Sequence, residues 1–276
     1  MSYRIRYIAG IAEQPDKLAE YYATYYGLRE LGRSPEGDVS LTDGFYNLTF
    51  LKRRPSLDEE DEQPGLNHFG IEIDDIREIE ARLEEYAPRA DIRQEKGDLH
   101  HGEFRVYDPN NIPVSLSLRN FGVASEERQM PNVRHIAMMV PKNQEVADFF
   151  CNVFGFRETS SGKKNHGTAS PVRFVGDGST ALAILRDPAR AVADGVEPEG
   201  TNLKWGVNHF GFLVESLDEM LSRLLGPDTS QRPASRPMAE FRTHDPEGNP
   251  IDISQLKGYE VDDGVWVRGP QPVSAG

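Results

Sequence analysis

The amino-acid sequence predicts an α+β fold made of four βαβββ modules that join in pairs. The first observation is an internal repeat, in which the motif GLNHFG at residues 65–70 recurs as GVNHFG at residues 206–211. The second is that a strand pattern, a helix pattern and several short strands follow one another in each module. Because the small sheet of one module cannot bury both of its faces, we expect the modules to pair.

The repeat extends over both halves of the chain, and its matches occur in the same order. Three further segments of the first half match the second half: residues 5–9 match 133–137, 26–30 match 154–158, and 103–109 match 240–246. The first two pairs are 128 residues apart and the third is 137 residues apart, so longer loops in the second half absorb the difference. Four matches in order indicate a duplicated structural unit.

The elements of the second half follow from its apolar periodicity and its turn residues. They are, in order, strand 134–140, helix 143–154, strands 172–175 and 181–185, a strand from residue 207, helix 217–225, and strands 239–243 and 250–253. Gly155 directly follows the first helix and is a stop signal. The turns Asp177-Gly178 and Asp245-Pro246-Glu247-Gly248 separate the short strands that follow each helix.

The composition restricts the class of partner. A net charge of −14 over 276 residues disfavours nucleic acid and anionic membranes, because binding to phosphate needs a basic face. No apolar run approaches the roughly 18 residues of a membrane span, and the first residues lack the apolar stretch of a signal peptide. Cys151 is the only cysteine, which excludes an intrachain disulfide. We therefore expect a cytoplasmic protein that acts on a small molecule, without a nucleic-acid or membrane partner.

These motifs and their order resemble the vicinal oxygen chelate superfamily, which includes glyoxalase I, the bleomycin- and fosfomycin-resistance proteins, methylmalonyl-CoA epimerase and the type I extradiol dioxygenases. The Asn-His-Phe-Gly strand starts and the ending DPEGNPID at residues 245–252 carry the resemblance, which covers about residues 3–258. The resemblance implies that paired modules curl into cups and that a divalent metal sits in a cup. The implied division is an N-terminal domain at 1–122, a linker at 123–131, a metal-binding domain at 132–258 and a C-terminal arm at 259–276.

The resemblance places metal ligands on the first strand of each module and on the strand after the Asp-Pro turn. At these positions the second half has His135, His209 and Asp252, and the first half has Tyr7, His68 and Ser115. Two imidazoles and one carboxylate form the facial triad of non-haem Fe(II) sites. We therefore expect Fe(II) in the second half, with Mn, Zn or Ni as other candidates. We expect no metal in the first half, where His68 has a structural role.

The number of protein ligands bears on the type of reaction. Glyoxalase I and the epimerases use a fourth ligand from the last strand of the first module in the pair, which corresponds here to residues 181–185. This stretch reads Ala-Leu-Ala-Ile-Leu and offers no acid, amide or imidazole. Three ligands with open coordination positions favour oxygen chemistry over isomerisation.

Four further residues are candidates for catalysis or substrate binding. Arg242 occupies the position of a tyrosine in the extradiol dioxygenases, and its guanidinium suits a carboxylate or another anion. The alternative for Arg242 is an outward side chain paired with nearby acids. Arg173 is a second candidate for binding an anionic group. His166 and His244 are candidate proton carriers, although an ordinary loop or turn histidine fits both patterns as well.

Several functions remain open at this level. The first is a metal-dependent enzyme resembling the type I extradiol ring-cleavage dioxygenases, which chelates vicinal oxygens of an aromatic or related substrate and activates O₂. One alternative is a metal-dependent enzyme of the glyoxalase, lyase or epimerase type. Another is a protein that binds a small molecule without metal, like the bleomycin-resistance proteins. A homo-oligomer is expected, because many relatives oligomerise.

Overall fold

Each half of the chain forms one β-sheet with helices packed against it. The computed structural model describes residues 3–54, 63–124, 127–158, 172–186, 205–226 and 241–255. The first half contains, in order, β1 (Arg4–Ala12), α1 (Pro15–Tyr26), β2 (Arg29–Arg33), β3 (Val39–Thr42), β4 (Asn47–Lys52), β5 (Gly65–Glu72), α2 (Ile76–Tyr86), β6 (Arg93–Gln94), β7 (Phe104–Tyr107), β8 (Pro113–Ser117) and a short 3-10 turn at Asn120–Gly122.

The second half repeats this order. It contains β9 (Asn132–Val140), α3 (Asn143–Phe154), β10 (Arg157–Glu158), β11 (Val172–Gly176), β12 (Ala181–Arg186), β13 (Gly206–Val214), α4 (Leu217–Leu225), β14 (Phe241–His244) and β15 (Pro250–Gln255). Three modules have the order βαβββ, and the described part of the fourth has the order βαββ. The predicted α+β fold of four repeated modules is confirmed.

The two sheets have the same topology. The strand order is β2-β3-β4-β1-β5-β8-β7-β6 in the first sheet and β10-β11-β12-β9-β13-β15-β14 in the second. In each sheet the first strands of two modules pair antiparallel at the centre, and each of them also pairs in parallel with the last strand of its own module. Among the described residues, no helix has the length and apolar character that a membrane crossing requires.

The predicted helix bounds agree with the structure. Helices α3 and α4 begin and end where the periodicity predicts, at 143–154 and 217–225. Gly155 follows α3 with φ of 68°, and Gly27 follows α1 with the same angle. Residues with a side chain are strained in this left-handed conformation, so glycine ends both helices. The predicted domain limits stay predictions, and the predicted arm at 259–276 lies outside the described residues.

Helix α1 packs against strands of both sheets. Tyr22 is fully buried, and its ring centroid lies 5.3 Å from Phe50 in the first sheet and 6.0 Å from Phe210 in the second. Tyr26 lies 4.3 Å from Phe212, also in the second sheet. Burial of each such ring stabilises the fold by roughly 2 kcal/mol. The halves therefore share one apolar core.

Two aspartates join the halves reciprocally. Asp43, in the turn between β3 and β4, accepts a hydrogen bond from the amide of Val133 at 2.8 Å. Asp177, in the turn between β11 and β12, accepts one from the amide of Ile5 at 2.7 Å. Ile5 and Val133 are equivalent positions near the starts of β1 and β9. Each half thus supplies the carboxylate that satisfies the first strand of the other, because a buried amide without an acceptor would be costly.

A second pair of aspartates shows where the repeat has diverged. The Asp245 carboxylate accepts hydrogen bonds at Oδ2 from the Tyr22 hydroxyl at 3.0 Å and from Asn249 Nδ2 at 2.8 Å. The equivalent Asp108 accepts two backbone amides at Oδ1, but its buried Oδ2 has no hydrogen-bond partner among the described residues. The sequence explains this difference. Phe150 stands 128 residues after Tyr22, and Ile112 occupies the position equivalent to Asn249.

The unsatisfied carboxyl predicts a pH effect on stability. Burial raises the pKa of Asp108 to about 6, even though two backbone N–H groups act against this rise. The folded protein therefore keeps this proton between about pH 4 and pH 6, where the unfolded chain loses it. The contribution of Asp108 to the free energy of unfolding should fall as pH rises through this window, by on the order of 3 kcal/mol.

Urea denaturation of the parent protein and of Asp108→Asn, from pH 4 to pH 7.5, measures this contribution. The asparagine does not titrate, so the stability of the parent relative to the variant should decrease as pH rises to about 6 and then level off. A difference that stays constant over the whole range would contradict the assignment.

Candidate metal centre

One row of cross-strand partners runs across the second sheet. His135 of β9 lies opposite Gly211 of β13, Gly211 lies opposite Asp252 of β15, and Asp252 lies opposite Arg242 of β14. Directly opposed residues project to the same face of a sheet. His135, Asp252 and Arg242 therefore share one face. Gly211 contributes no side chain, which leaves a gap between His135 and Asp252.

His209 adds the third ligand group to this row. It precedes Gly211 by two residues on β13 and so faces the same side. Its Nε2 atom lies 3.3 Å from His135 Nε2 and 3.3 Å from Asp252 Oδ2. One ligand atom from each of the three residues lies within 4.8 Å of the others, and all three side chains are buried.

This spacing fits a divalent metal ion. Two ligands at right angles on one cation, each about 2.1 Å away, are about 3 Å apart. The separations of 3.3 Å between neighbouring ligand atoms are close to that value. Two imidazoles and one carboxylate are also a donor set that binds Fe, Mn or Zn. His135, His209 and Asp252 therefore form a possible metal site, as the sequence predicts.

Both imidazoles can present a nitrogen lone pair to a metal. His209 Nδ1 lies 2.8 Å from the side-chain oxygen Oδ1 of Asn208, which can only accept a hydrogen bond. His209 therefore carries its proton on Nδ1 and presents the Nε2 lone pair to the site. Burial and the neighbouring His209 lower the pKa of His135 to about 3, so His135 is neutral at physiological pH.

Arg242 lies against the other side of the carboxylate. Its Nε donates to Asp252 Oδ1 at 2.5 Å and its Nη2 donates to Oδ2 at 3.0 Å. Nη2 is also 3.1 Å from His209 Nε2. Burial alone would raise the pKa of Asp252, but the positive guanidinium of Arg242 and its two donated hydrogen bonds hold that pKa well below its ordinary value. Asp252 is therefore ionised, as a metal ligand must be.

The surroundings of the triad on the β12 side are apolar. Ala137, Phe174 and Ala183 form a small buried cluster on the face of His135, with Val172 and Leu185 packed against it. Strand β12 runs beside β9 and places Ala181 opposite His135. None of its residues, Ala181–Arg186, brings an acid, amide or imidazole towards the triad. The described residues therefore offer three protein ligands and no fourth.

The first sheet contains the equivalent row without these ligands. Tyr7 lies opposite Gly70, Gly70 opposite Ser115, and Ser115 opposite Arg105. Phe121 stacks on Tyr7 with 4.6 Å between the ring centroids, and a methyl group added at Gly70 would lie 2.5 Å from its ring. The chain's own aromatic ring thus occupies the space between the ligand positions.

His68 completes this comparison. It is buried like its counterpart His209, and its Nδ1 lies 2.7 Å from Asn67 Oδ1. Burial and the positive charge of Arg105 hold the pKa of His68 well below its ordinary value, so the ring is neutral. The hydrogen-bond partner of His68 is thus a side-chain amide and not the backbone. The structural role of His68 stays a prediction.

The other predicted site residues lie apart from the triad or outside the described residues. Arg173 follows Val172 and precedes Phe174 on β11, so it projects to the helix-covered face, where its Nη2 is 2.7 Å from Glu158. His244 is exposed at the end of β14, and its carbonyl oxygen accepts a hydrogen bond from Tyr21 at 3.4 Å. His166 is outside the described residues. The structure brings Arg242 to the triad but not Arg173.

Two residues of the site are absent from the predicted set, namely Asn208 and Gly211. Asn208 fixes the tautomer of His209, and Gly211 provides the gap in the row. The sequence contains a signal for both, because Asn-His-Phe-Gly occurs at residues 67–70 and 208–211. The repeat identifies the motif, whereas cross-strand register is needed to assign a role to each of its members.

A protein-family model supports a relationship for the second half. Residues 132–253 match the model described as the Glyoxalase/Bleomycin resistance protein/Dioxygenase superfamily. The curated proteins include no match to the chain.

Solved structures resemble nearly the whole chain. The 2,3-dioxygenase LapB from Pseudomonas sp. KL28 has 18% sequence identity and a TM-score of 0.65, with 91% of each chain covered. The Mn(II)-bound glyoxalase from Novosphingobium aromaticivorans has 18% identity and a TM-score of 0.64, covering 92% of this chain and 83% of that one. A variant of homoprotocatechuate 2,3-dioxygenase from B. fuscum in complex with HPCA has 14% identity and a TM-score of 0.63, covering 91% and 70%. At these identities the likeness establishes the two-domain fold.

The two equivalent rows predict different effects of alanine at their glycines, one on metal binding and the other on thermal stability. In Gly211→Ala the new methyl group projects between His135 and Asp252, so binding of Mn(II) should weaken by roughly tenfold or more. In Gly70→Ala the methyl meets Phe121 instead, so the melting temperature should fall while Mn(II) binding is retained.

Isothermal titration with Mn(II) and thermal melts of the metal-free proteins distinguish the two variants. Mn(II) affinity equal to the parent's in a folded Gly211→Ala protein would contradict a metal between these side chains.

Proposed function

We propose that residues 132–253, which form a domain of the glyoxalase, bleomycin resistance protein and dioxygenase superfamily, hold Fe(II) in a dioxygenase that acts on vicinal oxygens of an aromatic or related substrate. His135, His209 and Asp252 are the three ligands. The observation that carries the proposal is the buried two-imidazole, one-carboxylate triad with no fourth ligand group on β12. Such a triad leaves several metal positions open to substrate and O₂.

The residues of the site have separate roles in this proposal. Fe(II) bound at the triad supplies a Lewis acid for two vicinal substrate oxygens and a redox couple for O₂. Asn208 keeps the Nε2 lone pair of His209 directed into the site. The apolar cluster around Ala137, Phe174 and Ala183 suits the ring of an aromatic substrate and excludes water. Arg242, which pairs with Asp252, has the proposed role of binding an anionic group of the substrate.

The structural neighbours support the dioxygenase assignment by their fold. LapB and the homoprotocatechuate enzyme are both 2,3-dioxygenases. Among the described residues, His244 has no contact with the triad that would assign it the proton transfer, and His166 lies outside the described residues, so these two roles stay predictions.

A second candidate function is a metal-dependent reaction that does not consume O₂. The Mn(II)-bound glyoxalase, which is similar over 92% of this chain, favours it. The same three ligands would hold the metal, and Arg242 would again bind an anionic group. The lack of a fourth ligand group on β12 favours the dioxygenase over this second candidate.

Oxygen consumption separates the two candidates. Protein reconstituted anaerobically with Fe(II) should bind about one equivalent and consume O₂ when an oxygen electrode is used to screen catechols, including ones with a carboxylate side chain. His135→Ala should lose both the metal and the activity, because it removes one of only three ligands.

Tyr7→Phe is the matched control, since Tyr7 has the equivalent position in the first sheet. It should retain iron and O₂ consumption. Metal binding with turnover of thiol adducts and without O₂ uptake would favour the second candidate. Less than about a tenth of an equivalent of any transition metal would contradict both and favour a protein that binds its ligand without metal.

A further inference from the structure

The guanidinium of Arg242 engages the same atoms that a metal would use. Its side chain is only 10% exposed and makes a fork on Asp252, with Nε on Oδ1 at 2.5 Å and Nη2 on Oδ2 at 3.0 Å. The same Nη2 is 3.1 Å from His209 Nε2. Two of the three ligand groups are therefore in contact with one internal cation.

These contacts and metal binding exclude one another in part. His209 Nδ1 is committed to Asn208, so Nε2 is the atom available to a metal. A nitrogen lone pair cannot accept an N–H and coordinate a metal at the same time. Nη2 of Arg242 must therefore leave His209 when a metal binds. Nε of Arg242 can stay on Asp252 Oδ1, because Oδ2 is the oxygen that lies 3.3 Å from His209.

Charge adds to this competition. Asp252 is the only acid in the described metal-ligand cluster, and it is 3% exposed. A divalent ion and a guanidinium would then share one buried carboxylate, which leaves excess positive charge in a poorly solvated place. An anion beside the guanidinium would offset that charge, and a carboxylate matches its fork.

We propose that Arg242 is a displaceable internal cation: it holds Asp252 and His209 together without metal, and metal binding frees its Nη2 to bind a carboxylate of the substrate. The inference rests on the proposed metal site and deepens it by naming an anionic substrate and an order of binding. Metal binding comes first and creates the anion site. By thermodynamic reciprocity, an anion bound there strengthens metal binding.

The first sheet provides a matched control. Arg105 lies opposite Ser115 as Arg242 lies opposite Asp252, but the part of the chain that the structure describes has no ligand triad around it. The Nε atom of Arg105 is 3.3 Å from Glu95. A neutral residue at position 105 therefore also removes an ion pair, at the position of the first sheet that is equivalent to Arg242. Arg105→Met therefore reports the structural cost of losing such an arginine without any competition for metal.

Anaerobic calorimetric titration of the metal-free full chain with Mn(II), a cation stable to oxidation, tests the proposal. Arg242→Met should bind Mn(II) roughly tenfold more tightly than the parent, although its metal-free form should melt at a lower temperature. Arg105→Met should bind Mn(II) like the parent. Benzoate, with neutral benzamide as its control, should tighten Mn(II) binding to the parent about fivefold and should have no such effect on Arg242→Met.

Each other outcome has a distinct meaning. If Arg242→Met is folded and binds Mn(II) no more tightly than the parent, Arg242 is only a support for Asp252 and the inference is wrong. If Arg242→Met does not fold, Arg242→Lys replaces it, because lysine keeps the charge and loses the fork. Arg242→Lys should then abolish the benzoate effect, and an unchanged benzoate effect would overturn the inference. If no protein binds Mn(II) or Fe(II), the proposed function fails together with the inference.

Discussion

The register between β9, β13 and β15 is the constraint on which the site depends. Side chains alternate along a strand, so a slip of one residue would turn His135 or Asp252 to the helix-covered face. The pairing of Gly211 with both residues prevents this and aligns them across three strands. Packing of Phe210 and Phe212 on the opposite face holds β13 in place, because a slip would remove these rings from the apolar core that the two halves share. The apolar core thus fixes the position of the polar site.

Local patterns predicted much of the fold, and the family resemblance predicted the triad. Helices 143–154 and 217–225 follow from 3.6-residue periodicity and a glycine stop, which act within one element. The triad followed from the resemblance, which implies ligands on the first strand of each module and on the strand after the Asp-Pro turn. The contacts of Arg242 could not be predicted, since the turn between β14 and β15 breaks the alternation count and only the pairing places Arg242 opposite Asp252. The placement of Arg173 on the helix-covered face likewise depends on strand phase within a short element.

The two halves show how one architecture can carry a possible metal-ligand triad in one copy and other side chains at the same positions in the other copy. The equivalent rows differ at only two ligand positions, where Tyr7 and Ser115 replace His135 and Asp252. Phe121 fills the space that these changes leave, and a buried cavity there would otherwise cost packing energy. The Asn67–His68 contact survives in the first half, as does the arginine opposite the acid position. The first half therefore keeps the scaffold of the site and replaces its centre with an apolar ring.

The exchanged carboxylates of Asp43 and Asp177 give a physical reason for retaining a half without ligands. Asp43 satisfies the backbone two residues before His135, so a change in the turn of the first half reaches the strand that carries a ligand of the second. Asp177 returns the same contact to β1. A substitution in either of these turns can consequently disturb the first strand of the other half. The first strand of each half thus depends on a turn of the other half for one of its backbone hydrogen bonds.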